Sequence, residues 1–478
     1  MNNLLKVLAV VLFVGIIFGM IALVNSDDKN TFKRSDSDGK EQKTVDSGEM
    51  DDVSDLLLDI SVDPKASSTL SPTTVKGQKG AGKNGERSQS PAGNTSVNVN
   101  SPTSQGVSSA AGNNGQTTVK TEPGVKAHAD IKTDFDAISR KYSAVGASVA
   151  IIRNKRVNSV YNYGIAVKDP YRAVTQDTKY RVASLSKLVT DMLFMKLVEN
   201  GKIKPTDNIE KYLGYKVRNP AFPERVITPE MLMTHTSSII DSDAFNKSLS
   251  EGSSTELKDL LSDKASFSSF APGTRYIYSN FGVAVIGAVC EKATGKYFNE
   301  LAKELLFKPL DIDASYIAAD IKNKDQIAEL YGAGGGLSLI KQLGRPHDCP
   351  LGQRHHLVQG NLTISAKDYA KILCLLMNGG RDKDGKVIMS ESSVKEIKKK
   401  HFDTGAFGVG YGLQIRDNIV QGNKVYVHTG ISYGMYSTFM FSDEFDDAIV
   451  ILTSGADAKK DESTGIFDIS LEFIREFR

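Results

Sequence analysis

The sequence predicts an α/β chain of the α+β kind: one antiparallel sheet flanked by helices, with a mostly helical region inserted between its early and late strands. Three observations carry this. Strand-like runs stand at residues 146–152 and 157–167, where the chain takes on a globular composition. Four more, at residues 411–415, 424–428, 435–441 and 448–453, crowd its end. Between the two groups, apolar residues recur at helical spacing in short runs broken by polar loops. Early and late strands are therefore expected to share a sheet, with residues of about 201–354 as the insert.

Ahead of this part, residues 7–24 form an uncharged apolar run preceded by Lys6 and followed by Asp27 and Asp28. Its length suits a bilayer-spanning helix, and the charges place the bulk of the chain outside. The alternative is a cleaved signal peptide, for which Ala22-Leu23-Val24 is a poor cleavage site. Residues 1–25 are thus read as a membrane anchor or signal peptide. Residues 26–125 are rich in Ser, Gly, Asn, Asp and Lys, and Phe32 is their only aromatic. Such a segment buries too little apolar surface to offset chain entropy and is expected to be a disordered linker, with a reach of roughly 50–60 Å.

The folded part, residues 126–478, opens with Ile131, Phe135, Ile138 and Tyr142 at helical spacing. Asn154-Lys155 supplies a turn between the first two strands. From Ser184 onward, Leu185, Leu188, Val189, Met192, Leu193, Met195, Leu197 and Val198 lie almost all round a helix, which predicts a buried one stopped by Asn200-Gly201. Further helices are expected at residues 227–237, 281–292, 366–377 and 467–477, and turns at Asp417-Asn418 and Gln421-Gly422-Asn423.

Composition narrows the function. Net charge is +2 with no basic stripe, which argues against nucleic acid. Three cysteines without regular spacing give no disulfide framework: Cys290 and Cys374 fall in apolar helical runs, and Cys349 in a polar loop. His347, Cys349, His355 and His356 match no zinc spacing, so neither metal nor cofactor is expected. With Arg345 and Arg354, their loop is instead a candidate to meet an anionic substrate end.

Ser184 and Lys187 are three residues apart, and steps of ~100° and ~1.5 Å put both side chains on one helix face. A serine hydroxyl is a weak nucleophile until a base takes its proton, and a lysine serves once burial or positive neighbours lower its pKa. A helix start also points free N–H groups at a developing oxyanion. The plainer alternative is an N-cap serine followed by a lysine that reaches solvent. Ser186 lies on a different side from Lys187 and is the poorer candidate.

Two more strings follow in order: Tyr278-Ser279-Asn280 and His428-Thr429-Gly430. Together with Ser184-x-x-Lys187 they resemble the S-x-x-K, Y-x-N and K/H-T-G motifs of the serine β-lactamase and D-Ala-D-Ala carboxypeptidase superfamily, in its class C branch. The resemblance runs from about Ile131 to the C-terminus and includes Thr234-His235-Thr236-Ser237 and Lys308-Pro309-Leu310. It implies a β-lactamase/transpeptidase-like fold and an acyl-enzyme on Ser184. It implies that Lys187 accepts the serine proton or keeps Tyr278 ionised, since a tyrosine with an ordinary pKa of about 10 needs a nearby cation to act as a base. Asn280 would bond the acyl amide, and the N–H groups of Ser184 and Ile431 would hold the oxyanion. His428, Thr429 and Gly430 would line the strand edge where substrate lies.

His428 stands where class C β-lactamases carry lysine, which weakens the grip on a substrate carboxylate and shifts the expectation toward a peptidase or esterase. No S-D-N string is present, so the class A arrangement is excluded. His235 is expected to be structural, bonding within its own loop. The reading is a membrane-tethered, extracytoplasmic serine hydrolase acting on a peptide, β-lactam or ester, with peptidoglycan as the natural partner. The alternative is a non-catalytic binding protein of the same fold.

Overall fold

The computed structural model describes residues 128–477, apart from 251–254, 334, 346 and 421. The expected anchor and linker, residues 1–25 and 26–125, lie outside the described residues. Among the described residues no helix is long and apolar enough to cross a membrane.

Helix α1 (His128–Lys141) leads into the hairpin of β1 (Gly146–Arg153) and β2 (Arg156–Val167). Its turn places Asn154 and Lys155 at φ of 50° and 60°, the left-handed geometry that tight hairpins need. Short strands β3 (Arg172–Ala173) and β4 (Lys179–Arg181) precede the long buried helix α2 (Ser186–Glu199). Short helices and loops fill the next stretch, and α3 (Asn280–Thr294) runs through its middle. Then come β5 (Thr363–Ser365) and α4 (Ala366–Met377). Strands β6 (Phe402–Asp403), β7 (Gly408–Gly410), β8 (Leu413–Val420), β9 (Asn423–Ser432), β10 (Met435–Ser442) and β11 (Asp447–Ser454) complete the sheet before α5 (Asp468–Glu476).

The main sheet has nine strands in the order β3-β2-β1-β11-β10-β9-β8-β7-β6, and every neighbouring pair in it is antiparallel. Early and late strands meet as expected: β1 lies against β11, with Gly146 opposite Ser454 and Ile152 opposite Ala448. Both strands are buried on both faces, which is why they read as continuous apolar runs. Ala150, Ile152, Val450 and Leu452 point to the layer of α2, α3 and α4. Val149, Ile151, Ile449 and Ile451 point the other way, to α1 and α5. Strand parity thus sorts the core into two layers.

Two expectations are corrected. Asp417-Asn418 is not a turn but lies within β8, whose exposed polar positions and register shift mimic one. The α-helix begins at Ser186 rather than Ser184, because a 3₁₀ turn (Ala183–Leu185) comes first, entered through Ala183 at φ 49°.

Candidate active site

Val182 follows β4, and its N–H donates to the Leu362 carbonyl at 2.9 Å. The 3₁₀ turn that follows is held from several sides. Ser437 Oγ donates to the Val182 carbonyl at 2.8 Å, and Tyr369 Oη donates to the Leu185 carbonyl at 2.8 Å. Ser186 Oγ donates to the Ala183 carbonyl at 2.6 Å and accepts the Leu362 N–H at 3.1 Å, a buried structural role that removes it as a nucleophile. These bonds over-determine the left-handed backbone at Ala183, a conformation that costs a β-carbon residue energy when unsupported. Ser184 is left half-buried, its hydroxyl facing a cleft.

Lys187 is 1% exposed, and its Nζ has three acceptors: Ser184 Oγ at 2.9 Å, Asn280 Oδ1 at 2.8 Å and the Gln359 carbonyl at 3.0 Å. Tyr278 Oη lies 2.9 Å from the same Ser184 Oγ. Amine and phenol, 91 positions apart in the chain by their numbers, therefore converge on one alcohol. Lys187 Nζ also sits 4.9 Å from the centre of the Tyr278 ring, so its charge bears on that phenol. Whichever partner is deprotonated, the serine proton has an acceptor within hydrogen-bond reach.

Strand β9 forms the far wall. Its residues pair with β10 as far as Ser432, but pair with β8 no further than Val427. Residues 428–432 thus present an edge without a β8 partner, and His428, Thr429, Gly430 and Ile431 all lie on it. The strand runs on through Thr429-Gly430 to Ser432, as the expected strand edge requires. A β-carbon on Gly430 would come within 2.8 Å of Ser184 N and 3.0 Å of the Val182 carbonyl oxygen, so only glycine lets the nucleophile's turn lie this close. Ile431 lines the cleft together with Ser184. His428 is 7% exposed, and its Nδ1 donates to the Thr429 carbonyl at 2.6 Å, which fixes the tautomer.

Two groups escaped the sequence reading. Asp241 accepts from Asn280 Nδ2 at 2.9 Å, Ser279 Oγ at 3.1 Å and the Phe281 N–H at 2.7 Å, fixing the start of α3 and so the Asn280 side chain that meets Lys187. The Gln359 carbonyl is the third acceptor on Lys187. His235 is structural, as expected: its N–H donates to the Leu232 carbonyl at 3.3 Å within its own stretch, and it also reaches across to the tyrosine's segment. Its carbonyl accepts the Ile277 N–H at 2.8 Å, its Nδ1 accepts the Ser279 N–H at 3.2 Å, and its ring packs 4.5 Å from Tyr278. Burial first, and the charges of Lys187 and His428 next, hold its pKa well below the ordinary value, so it clamps the tyrosine as a neutral ring.

The histidine loop separates into two roles. Arg345 lines the cleft, whereas Arg354 stacks on Tyr297 at 3.6 Å and bonds Asn299. His347 and His356 pair at 3.1 Å, and burial holds them down to about 4 and about 2 respectively. Among the described residues no group of three or more His, Cys, Asp or Glu side chains is placed to hold a metal ion. None of the three cysteines forms a disulfide among the described residues.

One turn beyond Lys187, Asp191 is 1% exposed, and neither carboxylate oxygen finds a hydrogen-bond donor among the described residues. Burial raises its pKa well above the ordinary range, with the Lys187 charge opposing. Above the unfolded value of about 3.9, the folded protein keeps a proton that the unfolded chain releases. The contribution to stability is therefore complete below that pH and is lost as pH rises toward the folded value. Asp191→Asn, which cannot titrate, is expected to gain in Tm on the parent as pH rises from about 4 toward neutral. Melting curves across that range check it, and a pH-independent difference would refute it.

Comparison with known proteins agrees with this geometry. The family model described as Beta-lactamase matches residues 131–470. Penicillin-binding protein 4 of Amycolatopsis lactamdurans is 24% identical over 339 residues, covering 69% of this chain and 85% of that protein. Esterase EstB of Burkholderia gladioli is 27% identical over 201 residues, covering 39% of this chain and 50% of the esterase. A solved class C β-lactamase superposes at TM-score 0.57 and 18% identity, covering 73% of this chain and 97% of that one, a likeness of fold. The family match spans most of the chain and includes every residue of the site above, so the chain belongs to the Beta-lactamase family of serine β-lactamases and penicillin-binding proteins.

Proposed function

We propose that the protein is a serine hydrolase that works through an acyl-enzyme on Ser184, with D-amino-acid peptides of peptidoglycan as its substrates. The observation that carries the reading is the convergence of Lys187 Nζ and Tyr278 Oη on Ser184 Oγ, each at 2.9 Å. In this reaction Ser184 Oγ attacks the substrate carbonyl while its proton passes to Tyr278 or Lys187. The N–H groups of Ser184 and Ile431 hold the tetrahedral oxyanion. Tyr278 returns the proton to the departing amine as the carbon–nitrogen bond breaks, and water then hydrolyses the acyl-serine. The β9 edge binds the substrate backbone as an added strand. Residues 7–24 anchor the chain, and residues 26–125 tether the hydrolase outside the membrane; the charge asymmetry around the apolar run supports this placement.

A small-ester substrate is the second reading. It is favoured by the match to an esterase and by His428 in place of lysine, which weakens the hold on a carboxylate in the leaving group.

Intact-protein mass spectrometry after incubation with benzylpenicillin tests the hydrolase. One acyl group is expected on the peptide containing Ser184, and none on Ser184→Ala. No adduct, or an adduct elsewhere, would favour a non-catalytic binding protein. A panel of D-Ala-D-Ala peptide, nitrocefin and p-nitrophenyl ester then ranks peptidase, β-lactamase and esterase.

A further inference from the structure

The cleft beside Ser184 is lined by Arg181, Arg345, Asn280, Gln359, Ile431 and Tyr433, whereas neither Tyr278 nor His428 lines it. In the reaction proposed above, Tyr278 delivers a proton to the leaving group, so the leaving group lies on the tyrosine's side of Ser184. The arginine-lined cleft is then left for the acyl part. Strand β9 agrees: His428 marks one end of its open edge, and Ile431 lines the cleft toward the other.

Among the described residues the two arginines are positioned by neutral groups. Arg181 Nε donates to the Gly360 carbonyl at 3.1 Å, and its guanidinium lies 5.1 Å from the centre of the Tyr433 ring. Arg345 Nη2 donates to the Leu249 carbonyl at 2.5 Å. Among the described residues neither meets a carboxylate; burial, and then the charge of Arg181, push the Arg345 guanidinium down to about 10. His356 on the same wall is held neutral by burial and by Arg345, and Asp241 is already bonded to Asn280 and the start of α3. Two like charges sharing a partly buried cleft repel, and a bound anion relieves both. An independent feature also asks for a polar ligand: Gln359, 7% exposed, presents a side-chain oxygen that finds no donor among the described residues and suits an N–H of the same acyl part rather than its carboxylate.

We infer that this cleft is a carboxylate subsite, and that the preferred substrates are amides or esters whose acyl group carries a carboxylate. The assignment to the acyl side rests on the hydrolase reading; the anion subsite itself does not. Forked guanidinium groups match the planar geometry of a carboxylate.

Two p-nitrophenyl esters of equal length test it: the half-ester of adipic acid, with a free carboxylate, and the same ester of monomethyl adipate, which is neutral. The wild type is expected to favour the anionic ester in kcat/KM by about tenfold to a hundredfold. Arg345→Gln should bring that ratio close to one, and Arg345→Lys should keep part of it. A ratio near one in the wild type, or an unchanged ratio in Arg345→Gln, overturns the inference. If neither ester acylates Ser184, the hydrolase reading itself has failed. Calorimetric titration of glutarate into wild type and Arg345→Gln then judges the subsite: arginine-dependent binding supports it, and equal or absent binding overturns it. Arg181→Gln serves in the same comparisons should Arg345→Gln not fold.

Discussion

Lys187→Met should lower the rate of Ser184 acylation by about 10²–10⁴-fold while the fold persists. Methionine fills similar volume but cannot donate to Ser184 Oγ, Asn280 Oδ1 or the Gln359 carbonyl, the three acceptors that hold the amine in place. Nor can it take the serine proton or place a charge near the Tyr278 ring. Two opposing effects govern stability. Stranding buried acceptors costs about 1–3 kcal/mol each, whereas removing a buried ammonium relieves a desolvation cost of similar size. The melting temperature is therefore expected to move much less than the rate. Stopped-flow acylation with nitrocefin, alongside calorimetry of unfolding, measures both. Acylation within threefold of wild type would remove the lysine from the mechanism.

Gly430→Ala is expected to cost about 10²-fold in kcat/KM through misplacement of the nucleophile, with about 1–3 kcal/mol of lost stability. The added carbon would lie 2.5 Å from Ser437 Oγ, 2.8 Å from Ser184 N and 3.0 Å from the Val182 carbonyl oxygen. Ser437 can rotate away, although its bond to Val182 is then lost. Ser184 N and the Val182 oxygen cannot yield so easily, because the turn is tied to Leu362 and Tyr369. The strain therefore falls on the site itself: either the turn or β9 must move, and the oxyanion donors part. Steady-state kinetics with a chromogenic ester gives the activity, and denaturant melts give the stability. Wild-type kcat in a folded variant would mean that β9 and the nucleophile's turn are not in this close register.

The chemistry was legible where it is written in short strings. Ser184 and Lys187 stand three residues apart across the junction of the 3₁₀ turn and α2, and Tyr278 and Asn280 flank a serine cap, so local spacing carries their geometry. The strands β1 and β11 could be read because burial on both faces leaves them apolar throughout. Asp241, the Gln359 carbonyl and the contact of His235 with the tyrosine's segment could not be read in this way. Each acts as a single residue in a loop, and its partner is chosen by tertiary packing rather than by sequence neighbours. The apolar pattern of β9 covers only residues 424–428, and the motif's resemblance carried the strand edge on through Thr429-Gly430, which β9 follows to Ser432. Asp417-Asn418 looked like a loop because β8 exposes its middle to solvent.

The pairing of Gly146 with Ser454 has a consequence for biogenesis. Ribosomal synthesis is vectorial, so the second hydrogen-bonded neighbour of β1 is made some three hundred residues after β1 itself. Until then the hairpin of β1 and β2 has an uncovered flank, and closing so long a loop is slow. The nascent chain must be shielded from aggregation over that interval, and a nonsense mutation before residue 447 would leave no partly working enzyme, only an unfinished sheet.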